Sequence, residues 1–584
     1  MAEKQAEYPL DLDFSNDLLF NPAWAVCFFS DTLHYFRWSG LSGVVLDPGN
    51  VSIIGFLQPF TFIEKETTGF SIVAIRSNEG LVSSLFAIPV HLAVDTGAQK
   101  VQLEPGLVSG LFRFKDGTRV RIQILMHDAS FWKRLSRALL VQFHLQKGFL
   151  VDMLDPGFSS GILTLRDLPE DAEGIDIKFL GGGDTTNIVI KFVIPSGLNF
   201  VLKFYPRIAF NTARYLNDML TSAKFHQFAR MVAACDYPVE RIQSLLSNSM
   251  GSIAFNEIKQ KCAEINMPVN RFFPFIHLLQ FIPGNGDGGM PFWNSAIDPL
   301  NEAGKSTIAN IVISATKLGK TIAAFHQALK GKAIKGVIDG AAQLKEQRET
   351  LAVQFEKTRA HLAGYRPSLP PEFSPLISGA LTSIDFETMA KKIIPGEVEF
   401  QRVERQYVHQ DLHLGQLMFI DALQEFYILD LEGDPQLSWR ERLECSPVER
   451  DLASLIRSLA YIKIAALKKR IEQNFKEVMN NVPRFNEIYP LFFVSRRDLV
   501  DCLHACLADP VKNQIKGLVK NLDAWEETTR NVILGAYEKE RPYNRKILLF
   551  YTLQRIMNEI TYEIKFRPKN FFIPLVGLLA LVET

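Results

Sequence analysis

Apolar and polar residues alternate along much of the chain up to about residue 205, and beyond it apolar positions recur every three to four residues. The stretches VSIIGFLQPFTFIEKETTGFSIVAIRS (51–77) and LVSSLFAIPVHLAV (81–94) are β-branched and apolar, and turn residues such as DPGN at 47–50 break them. They predict a strand-rich domain over 1–130. FWKRLSRALLVQFHLQKGF, from 131, reads as a helix leading into a second strand-rich block. In that block Asn187 to Ile194 and Asn199 to Tyr205, joined by Pro195, Ser196 and Gly197, predict a β-hairpin. Phe200, Leu202 and Phe204 fall on one face of its second strand, and Val201, Lys203 and Tyr205 on the other.

Long amphipathic helices follow, with one short strand pair among them. Leu417 to Ile420 and Phe426 to Asp430 read as strands around a turn at Asp421 to Glu425, which would set Gln416 beside Asp430. The segment 341–363, with charges between Leu344, Leu351, Val353, Phe355 and Leu362, reads as an exposed helix ended by RPSLPPEFSPL. No fixed-period repeat or low-complexity tract is present.

Composition narrows the function class. The chain has 584 residues, 47% hydrophobic, with 64 basic against 64 acidic side chains. That balance leaves no electrostatic footprint for nucleic acid. The acidic start MAEKQAEYPLDLDFSND lacks the pattern of a secretory signal. The longest apolar run, FFIPLVGLLALV, is shorter than the roughly 20 residues a spanning helix needs, so no membrane segment is expected. Six scattered cysteines suit reduced thiols in the cytoplasm. Cys502, His504 and Cys506 crowd together, but on an apolar helical pattern, which suits buried groups better than a metal site.

Two stretches invite a phosphate-binding reading. EAGKS (302–306) fails it, because the phosphate loop needs a glycine where Pro299 stands. Gly181, Gly182 and Gly183, ahead of the hairpin, could bring backbone amides close to an anion, and Lys203 is a lysine among apolar strand residues that could reach one.

The densest chemistry lies in YVHQDLHLGQLMFIDALQEFYILDLEGD (407–434). His-x-Asp-Leu-x-x-x-Gln followed by Asp-Leu-Glu-Gly has the spacing of the kinase loop H-R-D-L-x-x-x-N and its later D-F-G. On that reading Asp411 receives the acceptor proton, Gln416 and Asp430 offer oxygens to Mg2+, and Lys203 holds phosphate. Zinc on His409, Asp411 and His413 is a second reading, and acids that merely cap turns a third.

These residues resemble the maltokinase family, relatives of the aminoglycoside phosphotransferases. HQDLHLGQ (409–416), ILDLEGDP (428–435) and SPVERDLASLIRS (446–458) are similar to its HGDLHLGQ, ILDFEGEP and SPLRDVAGMLRS. LKFYPR (202–207), LLQFIPGNGDG (278–288), LGKTIAAFHQAL (318–329) and YEIKFRPKNFFIPL (562–575) follow in family order, and FRWSG (36–40) and HDASFWKRL (127–135) resemble its N-terminal cap.

The resemblance implies an α+β, bilobal protein-kinase-like fold: a cap subdomain over 1–130, a strand-rich N-lobe over 131–285 and a helical C-lobe over 286–584. It implies ATP and Mg2+ as cofactors, Asp411 as catalytic base, Gln416 and Asp430 on the metal, and Lys203 on the phosphates. Backbone at Gln280, Phe281 and Ile282 would hold adenine, and Arg457, Trp525, Tyr562 and Glu563 would face the sugar. The implied activity makes maltose 1-phosphate from maltose, in the cytoplasm, in association with a trehalose synthase-type enzyme. Glucosamine or another sugar is the alternative acceptor, and a nucleotide-binding pseudokinase module the alternative class. Three departures stand out: Gln410 replaces the family glycine, Tyr215 takes the place of the helix glutamate that pairs with the strand lysine, and Glu449 is an extra residue in the SPLRD match. Additional helical residues fall near 331–395.

Overall fold

The computed structural model describes residues 6–13, 25–32, 50–57, 66–76, 82–95, 108–145, 151–153, 174–180, 187–237, 252–264, 269–297, 304–331, 340–365, 379, 386–434, 437–482, 484–494, 501, 503–505 and 507–583. The fold is α+β, and the chain divides into two compact units, Met1–Asn217 with Ala229–Phe281 and Asp218–Phe228 with Ile282–Thr584.

In the first unit, β-branched alternation gives two six-stranded sheets among the described residues. One has the order β1-β5-β6-β4-β3-β2, from β1 (Ala6–Pro9), β2 (Val51–Leu57), β3 (Glu66–Arg76), β4 (Val82–Val94), β5 (Val108–Arg113) and β6 (Arg119–Ile124). The other has the order β7-β11-β12-β10-β9-β8, from β7 (Val151–Met153), β8 (Asp176–Leu180), β9 (Ile188–Val193), β10 (Asn199–Phe204), β11 (Met231–Asp236) and β12 (Pro274–Gln280). The hairpin legible at 187–205 is β9–β10, with Asn199 opposite Val193 and Phe204 opposite Ile188.

Aromatic side chains bind the two sheets together. Phe70 of β3 lies 5.4 Å from the Phe204 ring and 4.8 Å from Phe275 of β12. Helix α1 (Ala129–Leu145) adds Phe131 against Phe70 and Trp132 against Phe204. Each such ring, fully removed from water, contributes about 1.5–3 kcal/mol. The Ala87 amide also donates to the Pro206 carbonyl at 2.8 Å, so the strand that carries Lys203 is fastened to the first sheet just beyond its end. A boundary at residue 130 therefore falls inside this unit. Helix α2 (Ala213–Ser222) follows β10, and the division between the units passes through it after Asn217.

The second unit is helical around a three-stranded sheet of β13 (Gly286–Asp287), β14 (Leu417–Ile420) and β15 (Glu425–Ile428). Its main helices are α3 (Met290–Ile297), α4 (Gly304–Leu329), α5 (Gly340–Tyr365), α6 (Glu449–Asn474), α7 (Asp509–Glu540), α8 (Arg545–Phe566) and α9 (Phe572–Glu583). Helices α4 and α7 cross closely at Gly319, where a Cβ would stand 2.4 Å from the Ile533 carbonyl oxygen and 2.9 Å from Ala536 Cβ. Only hydrogen fits there.

Helix α5 corrects the expectation of an exposed helix over 341–363. Leu344, Leu351, Phe355 and Thr358 are buried along one side, and Gln354 donates to Asn558 of α8 at 2.8 Å. The seven-, four- and three-residue spacing of those four positions is itself a helical stripe, masked by the charges between them. Among the described residues no helix is long and apolar enough to cross a membrane. The glycine run 181–183, Pro299, Cys502 and Cys506 lie outside the described residues. His504 is buried against Phe492, and burial, with Lys516 and Lys512 nearby, lowers its pKa to about 4.

Candidate active site

The loop that carries Asp411 is shaped by a carboxylate from α6. Asp451 accepts the backbone N–H of His409 at 2.7 Å and of Gln410 at 2.8 Å, one on each oxygen. It also accepts from His326 Nε2 at 3.1 Å, and His326 Nδ1 meets the Tyr537 hydroxyl at 2.8 Å. Asp451 and His326 are both fully buried. Burial opposes the Asp451 charge, but the His326 side chain and the loop amides outweigh it and hold the carboxyl below its ordinary pKa. His326 is in turn held below its own ordinary value, by burial first.

Gln410, where the maltokinase pattern has glycine, adopts φ +70. That left-handed backbone costs roughly 1–2 kcal/mol for a residue with a Cβ. Its side-chain amide offsets the cost by donating to the carbonyls of Glu441 at 3.0 Å and Arg442 at 3.1 Å. The His409 ring, through Nε2, donates to the Leu429 carbonyl at 2.8 Å and so ties the loop to the end of the β14–β15 hairpin.

The hairpin departs by one residue from the expected register. Leu417 faces Ile428, and the Leu429 amide donates to the Gln416 carbonyl at 2.9 Å, so Gln416 stands opposite Leu429 and Asp430 lies one position beyond. The second strand begins at Glu425, not Phe426, and ends at Ile428. Gln424 is the cause: it takes φ +51 and donates its side-chain amide to Asp421, closing the turn after four residues instead of five. Asp430 itself has φ +54, which turns the chain sharply after the strand. Gln416 and Asp430 nevertheless share one mouth of the hairpin.

His413 reports the charge around that mouth. Its pKa is lowered, by burial first, with the Arg555 and His409 charges adding to the effect and the carboxylates of Asp411 and Asp430 opposing it. The ring is therefore neutral near pH 7, and its Nε2 lies 3.7 Å from Asp411 Oδ2. Asp411 and His413 are thus neighbours, with the Asp430 charge acting on the same ring. Gln416 offers a neutral oxygen and Asp430 an anionic one, a donor set that fits Mg2+ only if phosphate and water complete its shell.

On the other side of Asp411 stands a polar stripe on α8 that sequence reasoning missed. Arg555 donates to Asp411 Oδ1 at 2.9 Å, and it lies 3.4 Å from Glu559 and 4.0 Å from Asp434. Burial opposes the Arg555 charge, yet these three carboxylates raise its pKa. Glu559 also receives Arg457, from Nε at 3.2 Å and NH2 at 2.8 Å. Four residues further along the stripe, Glu563 accepts the Tyr461 hydroxyl at 3.4 Å, and burial raises its pKa. The sequence signal was available: positions 555, 559 and 563 are spaced by four, one face of a helix that is otherwise mostly apolar.

Arg457 and Glu563 are thereby joined to Asp411 through Arg555, Glu559 and Tyr461. The Arg457 guanidinium lies against α9 where Gly577 stands, since a Cβ there would be 2.6 Å from its NH1. The other two residues expected at the sugar have different immediate partners. Trp525 donates its indole N–H to Ser295 of α3 at 2.9 Å, and Tyr562 packs against Phe566 with the Arg567 guanidinium over its ring. Glu526, next to Trp525, binds Lys463 at 2.6 Å.

The residues expected at the nucleotide divide between the units. Lys203, buried on β10, faces His277 of β12 in register, and its ammonium lies 5.4 Å from the Tyr205 ring centroid. The Gln280 amide N–H is taken by the Arg230 carbonyl at 2.8 Å, and Phe281 lies under the Lys191 ammonium at 4.0 Å. Ile282, the first residue of the second unit after this crossing, accepts the Gly284 amide at 2.8 Å. Tyr215 on α2 packs its ring against Phe272 at 5.8 Å.

No family model matches the sequence, and no curated protein does. Solved structures do. Glucosamine kinase in complex with glucosamine, ADP and inorganic phosphate matches at 14% identity over 93% of this chain and 96% of that chain, with TM-score 0.45. Crystal form B of glucosamine kinase matches over the same shares at 14% identity and TM-score 0.49. The AMP-bound complex of spectinomycin phosphotransferase matches at 12% identity over 69% of this chain and 92% of that chain, with TM-score 0.26.

Proposed function

We propose that this chain transfers the γ-phosphoryl group of ATP to a sugar hydroxyl, with maltose as acceptor and maltose 1-phosphate as product. The observation that carries the reading is that the Asp411 loop, braced by the Asp451 carboxylate, is tied through His409 to the hairpin mouth that holds Gln416 and Asp430. Phosphoryl transfer needs positioning and charge stabilisation more than covalent help. Asp411 orients the acceptor hydroxyl and takes its proton, with Oδ1 held by Arg555. Mg2+, when bound by Gln416 and Asp430, would neutralise the phosphate oxygens. Lys203 would bind the polyphosphate, and the backbone at Gln280, Phe281 and Ile282 would border the adenine.

Arg457, Glu563, Trp525 and Tyr562 are assigned to the sugar side, with the region 1–130 as a cap subdomain. Cytoplasmic location and association with a trehalose synthase-type enzyme belong to the same proposal. A second reading, an amino-sugar acceptor, is favoured by one observation: Glu563, a carboxylate only 3% exposed on the same α8 stripe as Glu559, could pair with an ammonium group.

Magnesium-dependent ATP consumption over a panel of sugars tests this. Turnover with maltose supports the first reading, and turnover restricted to glucosamine the second. Nucleotide binding without turnover on any sugar would replace both with a pseudokinase module.

A further inference from the structure

A strand lysine that binds phosphate has to be aimed, and a carboxylate on the following helix is the usual means. Here that helix presents Tyr215, whose ring is engaged with Phe272. One residue earlier stands Arg214, 1% exposed, bonded through NH1 to Asp236 Oδ2 on β11. The other Asp236 oxygen, Oδ1, lies 3.9 Å from His277 Nε2, with both side chains buried. His277 Nδ1 in turn lies 3.1 Å from the Tyr205 hydroxyl. His277 pairs across the sheet with Lys203 on one side and with Ala234 of β11 on the other. Arg214, Asp236 and His277 thus sit in the sheet and helix immediately around the lysine, all at or below 4% exposure.

Burial holds the His277 ring below its ordinary pKa, with the Arg214 and Lys203 charges acting in the same direction and Asp236 opposing them. The ring is neutral near pH 7, so it spaces Asp236 from Tyr205 without adding charge. An ion pair this deeply buried is weak evidence for stability, because apolar residues of similar volume usually serve a core as well or better. Its position around a candidate phosphate-binding group suggests a different use.

We propose that Arg214, Asp236 and His277 are positioning residues for Lys203: the Arg214–Asp236 pair fastens the first turns of α2 to β11, and His277, between Asp236 and Tyr205, holds the rung of sheet on which the lysine stands. The ligand so served is the polyphosphate of a nucleoside triphosphate, and the inference rests on the reading of Lys203 given above.

ATP affinity by calorimetry, melting temperature, and the KM for ATP and for the acceptor are measured on the full chain, on Arg214→Met/Asp236→Leu, on Tyr205→Phe, and on Lys203→Met alone and combined with the double substitution. The double variant keeps the core apolar and is expected to melt near the unaltered chain, while its affinity and KM for ATP weaken about tenfold and the acceptor KM stays within about twofold. Tyr205→Phe, which removes only the hydroxyl on His277, should weaken ATP about threefold. Adding Lys203→Met to the double variant should cost less than Lys203→Met does alone, because the groups act as one unit. Unchanged ATP affinity in both the double variant and Tyr205→Phe would overturn the proposal while leaving the phosphotransferase reading intact. Additive losses would overturn it as well. An unaltered chain that binds no ATP would sink the parent reading and this inference together.

Discussion

Asp451→Asn is the sharpest perturbation of the loop that bears Asp411. The carboxylate uses one oxygen for His409 N–H and His326 Nε2, and the other for Gln410 N–H. An asparagine keeps one acceptor and turns the other into an NH2 group, which then faces a backbone donor or the imidazole N–H. One charge-assisted hydrogen bond, worth about 1.5–3 kcal/mol, is lost, and a buried donor left unsatisfied costs a further ~1–3 kcal/mol. The sum, about 2.5–6 kcal/mol, brackets the about 3–5 kcal/mol that breaking a buried charged contact costs elsewhere. At about 2–4 °C per kcal/mol, the scale for domains of roughly 150–250 residues, about 3–5 kcal/mol corresponds to a fall of about 6–20 °C, with the larger unit here toward the lower end. Because the released amides precede Asp411 directly, turnover should drop at least about tenfold even in the folded fraction, with ATP affinity unchanged. Scanning calorimetry and steady-state kinetics on the same preparation check both parts. A melting temperature within about 2 °C of the unaltered chain would show that Asp451 does not carry the loop.

Three other outcomes follow from the geometry. Asp411→Asn removes the proposed proton acceptor and should lower kcat by about 10²–10⁴ while calorimetric ATP affinity holds; unchanged kcat would strip Asp411 of that role. Gly577→Ala gains about 1 kcal/mol of helix propensity but pushes a methyl to within 2.6 Å of Arg457, so the acceptor KM should rise several-fold with little change in melting temperature, and an unchanged KM would separate Arg457 from the acceptor. His504, lowered to about 4, stays neutral in the folded chain where the unfolded chain is protonated, so its contribution to stability is full above pH 6.5 and is lost as pH falls toward 4. His504→Leu should flatten the pH dependence of the urea midpoint in that window by up to one proton, about 1.4 kcal/mol per pH unit; an unaltered slope would refute it.

Features that depend on near neighbours in sequence were legible, and those that depend on folding were not. Alternation over 187–205 predicted the β9–β10 hairpin because each apolar residue faces the core on its own account. The short distance from His409 to Asp430 predicted that the loop and the β14–β15 hairpin lie side by side, because both are local structures. The hairpin register slipped by one because Gln424 closes the turn in a conformation that strand propensity does not encode. Arg555 was passed over because its meaning comes from Asp411, 144 positions away. His326 and Asp451 were each inside a recognised motif, yet only tertiary structure shows that they form one buried support. Tyr215 lies on α2 against Phe272, and nothing local pointed to the Arg214–Asp236 pair beside it.

Gln410 carries a consequence for how distant substitutions act. A glycine at φ +70 would leave the bend to its own flexibility, whereas this side chain borrows rigidity from the carbonyls that close the short helix Trp439–Leu443. That helix is itself fixed at its start by a reciprocal Ser438–Glu441 cap. The Asp411 loop is therefore hinged on a surface element some thirty residues downstream, and a change as remote as Ser438→Ala would be transmitted to it as a shift in alignment, with no atom of the substituted residue near Asp411.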